Sequence, residues 1–159
     1  MLNYKAAMIE NAHSLRQQTH QALQDGYYPI VIGGDKTQAI GSVSGMKKLN
    51  PNAKLIMIDS DESNSTLAYL EGRSGLEGYK NLECIDRKDI AFIGVSDADL
   101  SVKDGLIIGQ NRCKTENLDE ISTLMSRYFR KENESSRYWI SFDASSLSSQ
   151  DFKSALMKD

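Results

Sequence analysis

Two cysteines, two histidines and one tryptophan are all that the 159 residues hold of these types. Cys84 and Cys113 lie far apart, form no CxxC pair and have no histidine cluster nearby, which argues against a zinc site. They are expected as buried or half-buried free thiols in a reduced compartment. No apolar run approaches the ~20 residues that a membrane span needs. The N-terminal stretch MLNYKAAMIENAH lacks the uninterrupted apolar segment of a signal peptide. A cytoplasmic protein without membrane contact is expected. Basic charge is also scarce: the formal net charge is -3, and no Lys/Arg stripe runs along any segment. That argues against nucleic-acid partners. Arg127, Arg130 and Lys131, and Lys153 and Lys158, read as solvated helix faces. There is no internal repeat and no low-complexity tract.

The length suits one domain, 1–159, with a sizeable core. Ala7, Met8, Ala12, Leu15 and Leu23 recur at helical spacing over 4–25, and Asp25-Gly26 closes that helix. Tyr28–Ile32 reads as a short strand and Gln38–Leu49 as the next helix. After the turn Asn50-Pro51-Asn52, Ala53–Ile58 is apolar except for Lys54, as in a parallel strand buried on both faces. Residues 59–81 read as a long irregular loop with one helical turn near Thr66–Leu70. Ile90–Val95 and Leu106–Ile108 follow as strands. Leu118, Ile121, Leu124, Met125 and Tyr128 mark an amphipathic helix over 117–129, and Tyr138–Phe142 is the last strand. Strands alternating with helices predict a three-layer α/β fold, a mainly parallel sheet with helices on both faces.

Chemistry concentrates at the strand ends. The first strand runs into Gly33-Gly34-Asp35-Lys36-Thr37, LIMID ends at Asp59 and YWISFD ends at Asp143. Acids delivered at the C-terminal ends of parallel strands are how open α/β sheets build ligand and metal sites. A phosphate-binding P-loop does not fit, because glycine must directly precede the lysine and Asp35 stands there. Asp59-Ser60-Asp61-Glu62-Ser63 is similar to the D-x-D strand end of haloacid-dehalogenase-like phosphotransferases, whose first aspartate is the nucleophile. That family also carries a late acidic pair, whereas Asp143 is followed by Ala144-Ser145.

A third likeness covers residues 4 to 149. The chain resembles the arginase/agmatinase (ureohydrolase) family, which has a G-G-D-H-S loop, a D-A-H-x-D strand end, an I-G-x-R-D-x-D segment and an S-F-D-x-D strand end. The counterparts are Gly33-Gly34-Asp35-Lys36-Thr37 with Ala39-Ile40-Gly41-Ser42 after it, Asp59–Ser63, Ile93-Gly94-Val95-Ser96-Asp97-Ala98-Asp99, and Ser141-Phe142-Asp143-Ala144-Ser145. All four stand in the family's order, each at the end of an expected strand.

The resemblance implies a truncated arginase-like fold and a reaction in which two manganese ions hydrolyse a guanidinium group. It also implies an altered site. Lys36 stands for a histidine ligand, Asp61 for a second histidine, and Ser63 and Ser145 for aspartates. Asp59 and Asp143 keep the positions that bridge both metals in the family, and Gly33, Gly34 and Asp35 form the structural loop. No histidine follows His20, so the family's catalytic histidine has no counterpart. An ammonium donates hydrogen bonds and does not coordinate a metal. Lys36 is therefore expected among the carboxylates in place of a metal, with no cofactor. The alternative is one Mn or Mg ion on Asp59, Asp61 and Asp143.

The expected function is a catalytically inactive ureohydrolase-like domain that binds a protein partner or a second copy of itself. The alternatives are a one-metal hydrolase of the arginase/agmatinase type and a DxD-type phosphotransferase. His13 and His20 are expected as surface histidines on the first helix, Trp139 as a core or sheet-face residue, and Asp97 and Asp99 as loop acids. The resemblance also implies that the family's last strand, which has no equivalent here, lies between Tyr28–Ile32 and Tyr138–Phe142. Those two segments either close up or leave a sheet edge open.

Overall fold

The computed structural model describes residues 4–33, 36–59, 65–75, 77–95, 105–109, 113, 117–129 and 137–144. Helix α1 (Tyr4–Gln24) ends as Asp25-Gly26 predicts. Gly26 adopts φ +83°, the Tyr27 amide donates to the Ala22 carbonyl at 2.9 Å, and the Gly26 amide donates to Leu23 at 3.2 Å. This pair of bonds satisfies the last carbonyls of the helix and turns the chain sharply.

Helix α2 (Gln38–Leu49) packs tightly on α1, and its own glycines make that possible. A Cβ at Gly41 would stand 2.3 Å from the Ala12 carbonyl oxygen, and one at Gly45 would stand 2.5 Å from that of Arg16. The interface is tied by charge as well. Arg16 donates to both Glu83 carboxylate oxygens at 2.6 Å, and the Ser44 hydroxyl donates to Glu83 at 2.7 Å. Burial would push the Glu83 carboxyl up, but the bonds from Arg16 and Ser44 outweigh it and hold the group at about 2.

Four strands follow among the described residues: β1 (Lys54–Ile58), β2 (Ile90–Val95), β3 (Leu106–Gly109) and β4 (Tyr138–Phe142). They form one sheet in the order β3-β2-β1-β4, and every neighbouring pair is parallel. Between β1 and β2 lies α3 (Ser65–Leu70), which places Leu67 and Leu70 in the core with Val43, Leu55, Met57, Ile85 and Phe92. The chain steps from β1 out to β3 and then returns past both strands to β4. Right-handed crossovers in opposite directions put their helices on opposite faces. So α4 (Leu118–Phe129) covers the face away from α2 and α3, and the Tyr128 hydroxyl donates to the Lys88 carbonyl. This is the three-layer arrangement expected from the alternation of strands and helices.

Lys54, the one polar residue in the β1 run, is 4% exposed. Its ammonium meets Asp89 at 2.6 Å, and Lys47 stands 3.9 Å from the same carboxylate. Burial lowers the Lys47 pKa against the pull of Asp89.

Three expectations need correction. Tyr28–Ile32 is not a strand. It runs without a ladder partner, and Tyr28, Ile30 and Ile32 are 92%, 88% and 93% exposed. Its residues favour β structure, but a strand exists only when another edge pairs with it, and Pro29 has no N–H to offer. Cys84 and Cys113 are exposed free thiols rather than buried ones. His13 and His20 are half-buried rather than superficial, because the segment after α3 folds back over α1. His13 Nε2 donates to the Gly78 carbonyl at 2.8 Å, and His20 Nδ1 is buried with no hydrogen-bond partner. Trp139 is half-buried against the core. No helix among the described residues is long and apolar enough to cross a membrane.

Candidate functional site

The register of the sheet builds the site. Ile58 of β1 lies beside Phe142 of β4 in a parallel pair. The next residue of each strand, Asp59 and Asp143, therefore emerges side by side on the same face. Both stay locked to the sheet by their backbone. The Asp59 amide donates to the Ile93 carbonyl at 3.0 Å, and the Asp143 amide donates to Ile58 at 2.9 Å. Lys36 comes from the turn before α2, where its carbonyl accepts from the Ala39 amide at 3.1 Å.

These elements bring Lys36 between the two acids. Its ammonium stands 3.0 Å and 2.8 Å from the two Asp59 carboxylate oxygens and 3.8 Å from Asp143. The Asp59 side chain is 2% exposed, and those of Lys36 and Asp143 are 22% and 24%. The tight contact is thus the buried one, and Asp143 forms the outer, wetter side of the cluster. One lysine against two aspartates leaves the trio with a charge of -1. Gly33 stands at the entrance, where a Cβ would meet the Gln38 side chain at 2.3 Å. Gly34, Asp35, Asp61, Ser63 and Ser145, with Asp97 and Asp99, lie outside the described residues.

The trio closes one end of a cavity of about 820 Å³. One wall is the extended Tyr28–Val31 segment with Gly33, and the other is Arg137–Ala144. Leu23, Ala39, Ser42 and Met46 of α1 and α2 form the floor. The cavity follows from the missing ladder: the two segments stand apart with space between them. Sequence reasoning missed the Arg16–Glu83–Ser44 and Lys54–Asp89–Lys47 clusters. Lys54 inside an apolar strand was the one local signal of either.

A divalent ion fits the described donor set poorly. Manganese and magnesium want about six donors, mostly oxygen, whereas two carboxylates are present and an ammonium touches both oxygens of one. Among the described residues no group of three or more His, Cys, Asp or Glu side chains could hold a metal ion.

The sequence profile of the arginase family matches residues 2–152 of this chain. Rat arginase-1 is 30% identical over a stretch that makes up 48% of this chain and 29% of that protein. The arginase of Eremothecium gossypii is 36% identical over 39% of this chain and 16% of its own length. Among solved structures, a cold-adapted arginase from the psychrophilic yeast Glaciozyma antarctica superposes with a TM-score of 0.76. That likeness covers 89% of this chain and 59% of the yeast protein at 17% identity, so it speaks to the fold. An arginase from Bacillus subtilis gives a TM-score of 0.64 over 81% of this chain and 52% of its own. The chain spans less than two thirds of the length of each of these relatives.

Proposed function

The chain belongs to the arginase family, and we propose that it is a non-hydrolytic member that acts by binding a protein partner or a second copy of itself. One observation carries this reading: the Lys36 ammonium lies 2.8 Å from Asp59 and 3.8 Å from Asp143. A fixed cation already satisfies the two carboxylates that the resemblance makes metal bridges, and it brings no nucleophilic oxygen with it. Hydrolysis of a guanidinium carbon needs an activated water and a group to move its proton. Neither Lys36 nor the two aspartates held against it are arranged for that work, and no histidine follows His20 in the sequence.

The test is direct. The purified chain, loaded with manganese, is incubated with arginine and with agmatine, and urea is measured alongside the bound metal. No urea and less than one equivalent of manganese are expected. Manganese-dependent urea release that Asp143→Asn abolishes would refute the proposal.

A further inference from the structure

We propose that Gln38 is a positioning residue: Asn11 grips its amide, its side chain braces Gly33, and the two contacts hold Lys36 against Asp59. The role goes beyond the binding function proposed above and does not depend on what the chain binds.

The two members of the ion pair are anchored differently. Asp59 follows β1 directly, and its amide donates to the Ile93 carbonyl at 3.0 Å. Lys36 reaches it from outside the sheet, across 2.8 Å. A long side chain with several rotatable bonds keeps one geometry only when its backbone is fixed. Part of that fixing comes from α2, because the Lys36 carbonyl accepts from the Ala39 amide at 3.1 Å. Holding Gly33, three residues earlier, removes much of the freedom that remains.

Gln38, the first residue of α2, provides that hold. A Cβ at Gly33 would stand 2.3 Å from Gln38 Cγ, 2.9 Å from its Cδ and 3.3 Å from its Cβ. The glutamine side chain therefore lies against the Gly33 backbone, in the place that a larger residue would fill. Its direction is set from the other side. The side-chain amide of Asn11, on α1, donates to Gln38 Oε1 at 3.2 Å. The Gln38 backbone carbonyl accepts from the buried Ser42 hydroxyl at 2.9 Å. Asn11 is itself a fixed post, because its neighbour Ala12 is pressed against Gly41 of α2. Gly33 and Lys36 are thus both anchored to the first turn of α2, one through a side chain and the other through the backbone.

The test is amine labelling of the folded chain with N-hydroxysuccinimidyl acetate, read lysine by lysine by mass spectrometry. Lys54, whose side chain is 5% exposed and 2.6 Å from Asp89, reports opening of the whole fold. Asn11→Leu and Gln38→Ala should each raise the labelling rate of Lys36 about fivefold, the population change that one hydrogen bond is worth, and leave Lys54 unchanged. Asn11→Asp keeps an acceptor that the Gln38 amide can meet by turning over, so it should label as the parent does. Gly33→Ala should release Lys36 in the parent, where its Cβ displaces Gln38. It should add little in Gln38→Ala, where Cγ and Cδ are gone. Unchanged labelling of Lys36 in Asn11→Leu and Gln38→Ala overturns the proposal. A parallel rise at Lys36 and Lys54 also overturns it, because the contact would then hold the fold rather than the pair. Equal effects of Gly33→Ala in the parent and in Gln38→Ala would do the same, by showing that Gln38 does not brace Gly33.

Discussion

Replacing Lys36 by methionine tests the centre of the site. The substitution keeps a long unbranched side chain and removes the charge. Asp59, 1% exposed, then stays buried without the cation that stands 2.8 Å from it. Breaking a buried ion pair from one side costs about 3–5 kcal/mol, because the remaining charge has left water without recompense. Lys36 is 22% exposed, so some solvent reaches the vacated space, and about 3 kcal/mol is the better figure here. For a domain of this size each kcal/mol moves the melting temperature by about 2–4 °C, which gives a fall of roughly 6–12 °C. Urea denaturation followed by circular dichroism in metal-free buffer reads the free energy, and a thermal scan reads the shift. Asp59→Asn and the double variant complete a cycle. The double variant should be less damaged than the sum of the singles by about 2 kcal/mol, since two neutral groups need no partner. Manganese added to Lys36→Met should recover part of the loss, because the acids regain a cation. An unchanged melting temperature in Lys36→Met, or strict additivity in the cycle, would refute the pairing.

Other outcomes follow from the packing. Glu83 is held at about 2 in the folded state against an ordinary 4.5, so its contribution is present above pH 4.5 and is lost as pH falls towards 2. The stability gap between the parent and Glu83→Gln should therefore narrow by roughly 1–2 kcal/mol between pH 6 and pH 3, as urea titrations at the two pH values would report. Gly41→Ala should destabilise by about 1–3 kcal/mol, although alanine favours a helix by about 1 kcal/mol, because its Cβ would stand 2.3 Å from the Ala12 carbonyl. A more stable variant would refute that contact. Lys54→Met strands Asp89 and should cost about 3 kcal/mol by equilibrium denaturation; a loss below about 1 kcal/mol would mean that Lys47, 3.9 Å away, takes over the carboxylate.

Much of the fold could be read from periodicity. The α1 stripe, Asp25-Gly26 at its end, and the β-favouring runs of β1, β2 and Tyr138–Phe142 all carry their structure locally. The run Tyr28–Ile32 has the same local chemistry as these strands, yet it makes no ladder. Pairing depends on two edges, and no property of one segment reveals whether the other edge is there. Pro29 was the single local warning. The strand ends at Asp59 and Asp143 were legible because a loop after a parallel strand lands at a predictable place. Their contact with Lys36 depends on the approach of the α2 turn to the sheet, which only the ordered likeness to a family suggested. Lys54 shows the opposite limit. A lysine in an apolar strand signals a partner, but Asp89 lies 35 positions away and no pattern points to it.

The place of β4 at the margin of the sheet has a kinetic consequence. Joining β4 to β1 closes a loop more than twice as long as joining β2 to β1. Loop entropy makes that step costlier by about 0.8 kcal/mol, and among the described residues β4 has a ladder on one side only. It is expected to be the last strand to dock during folding and the first to loosen in the native state. Amide exchange should therefore be faster at Asp143 than at Asp59, which is anchored between inner strands. Each such opening carries Asp143 away while Lys36 and Asp59 stay together, so the cluster loses its outer acid by motion of the edge long before the protein unfolds.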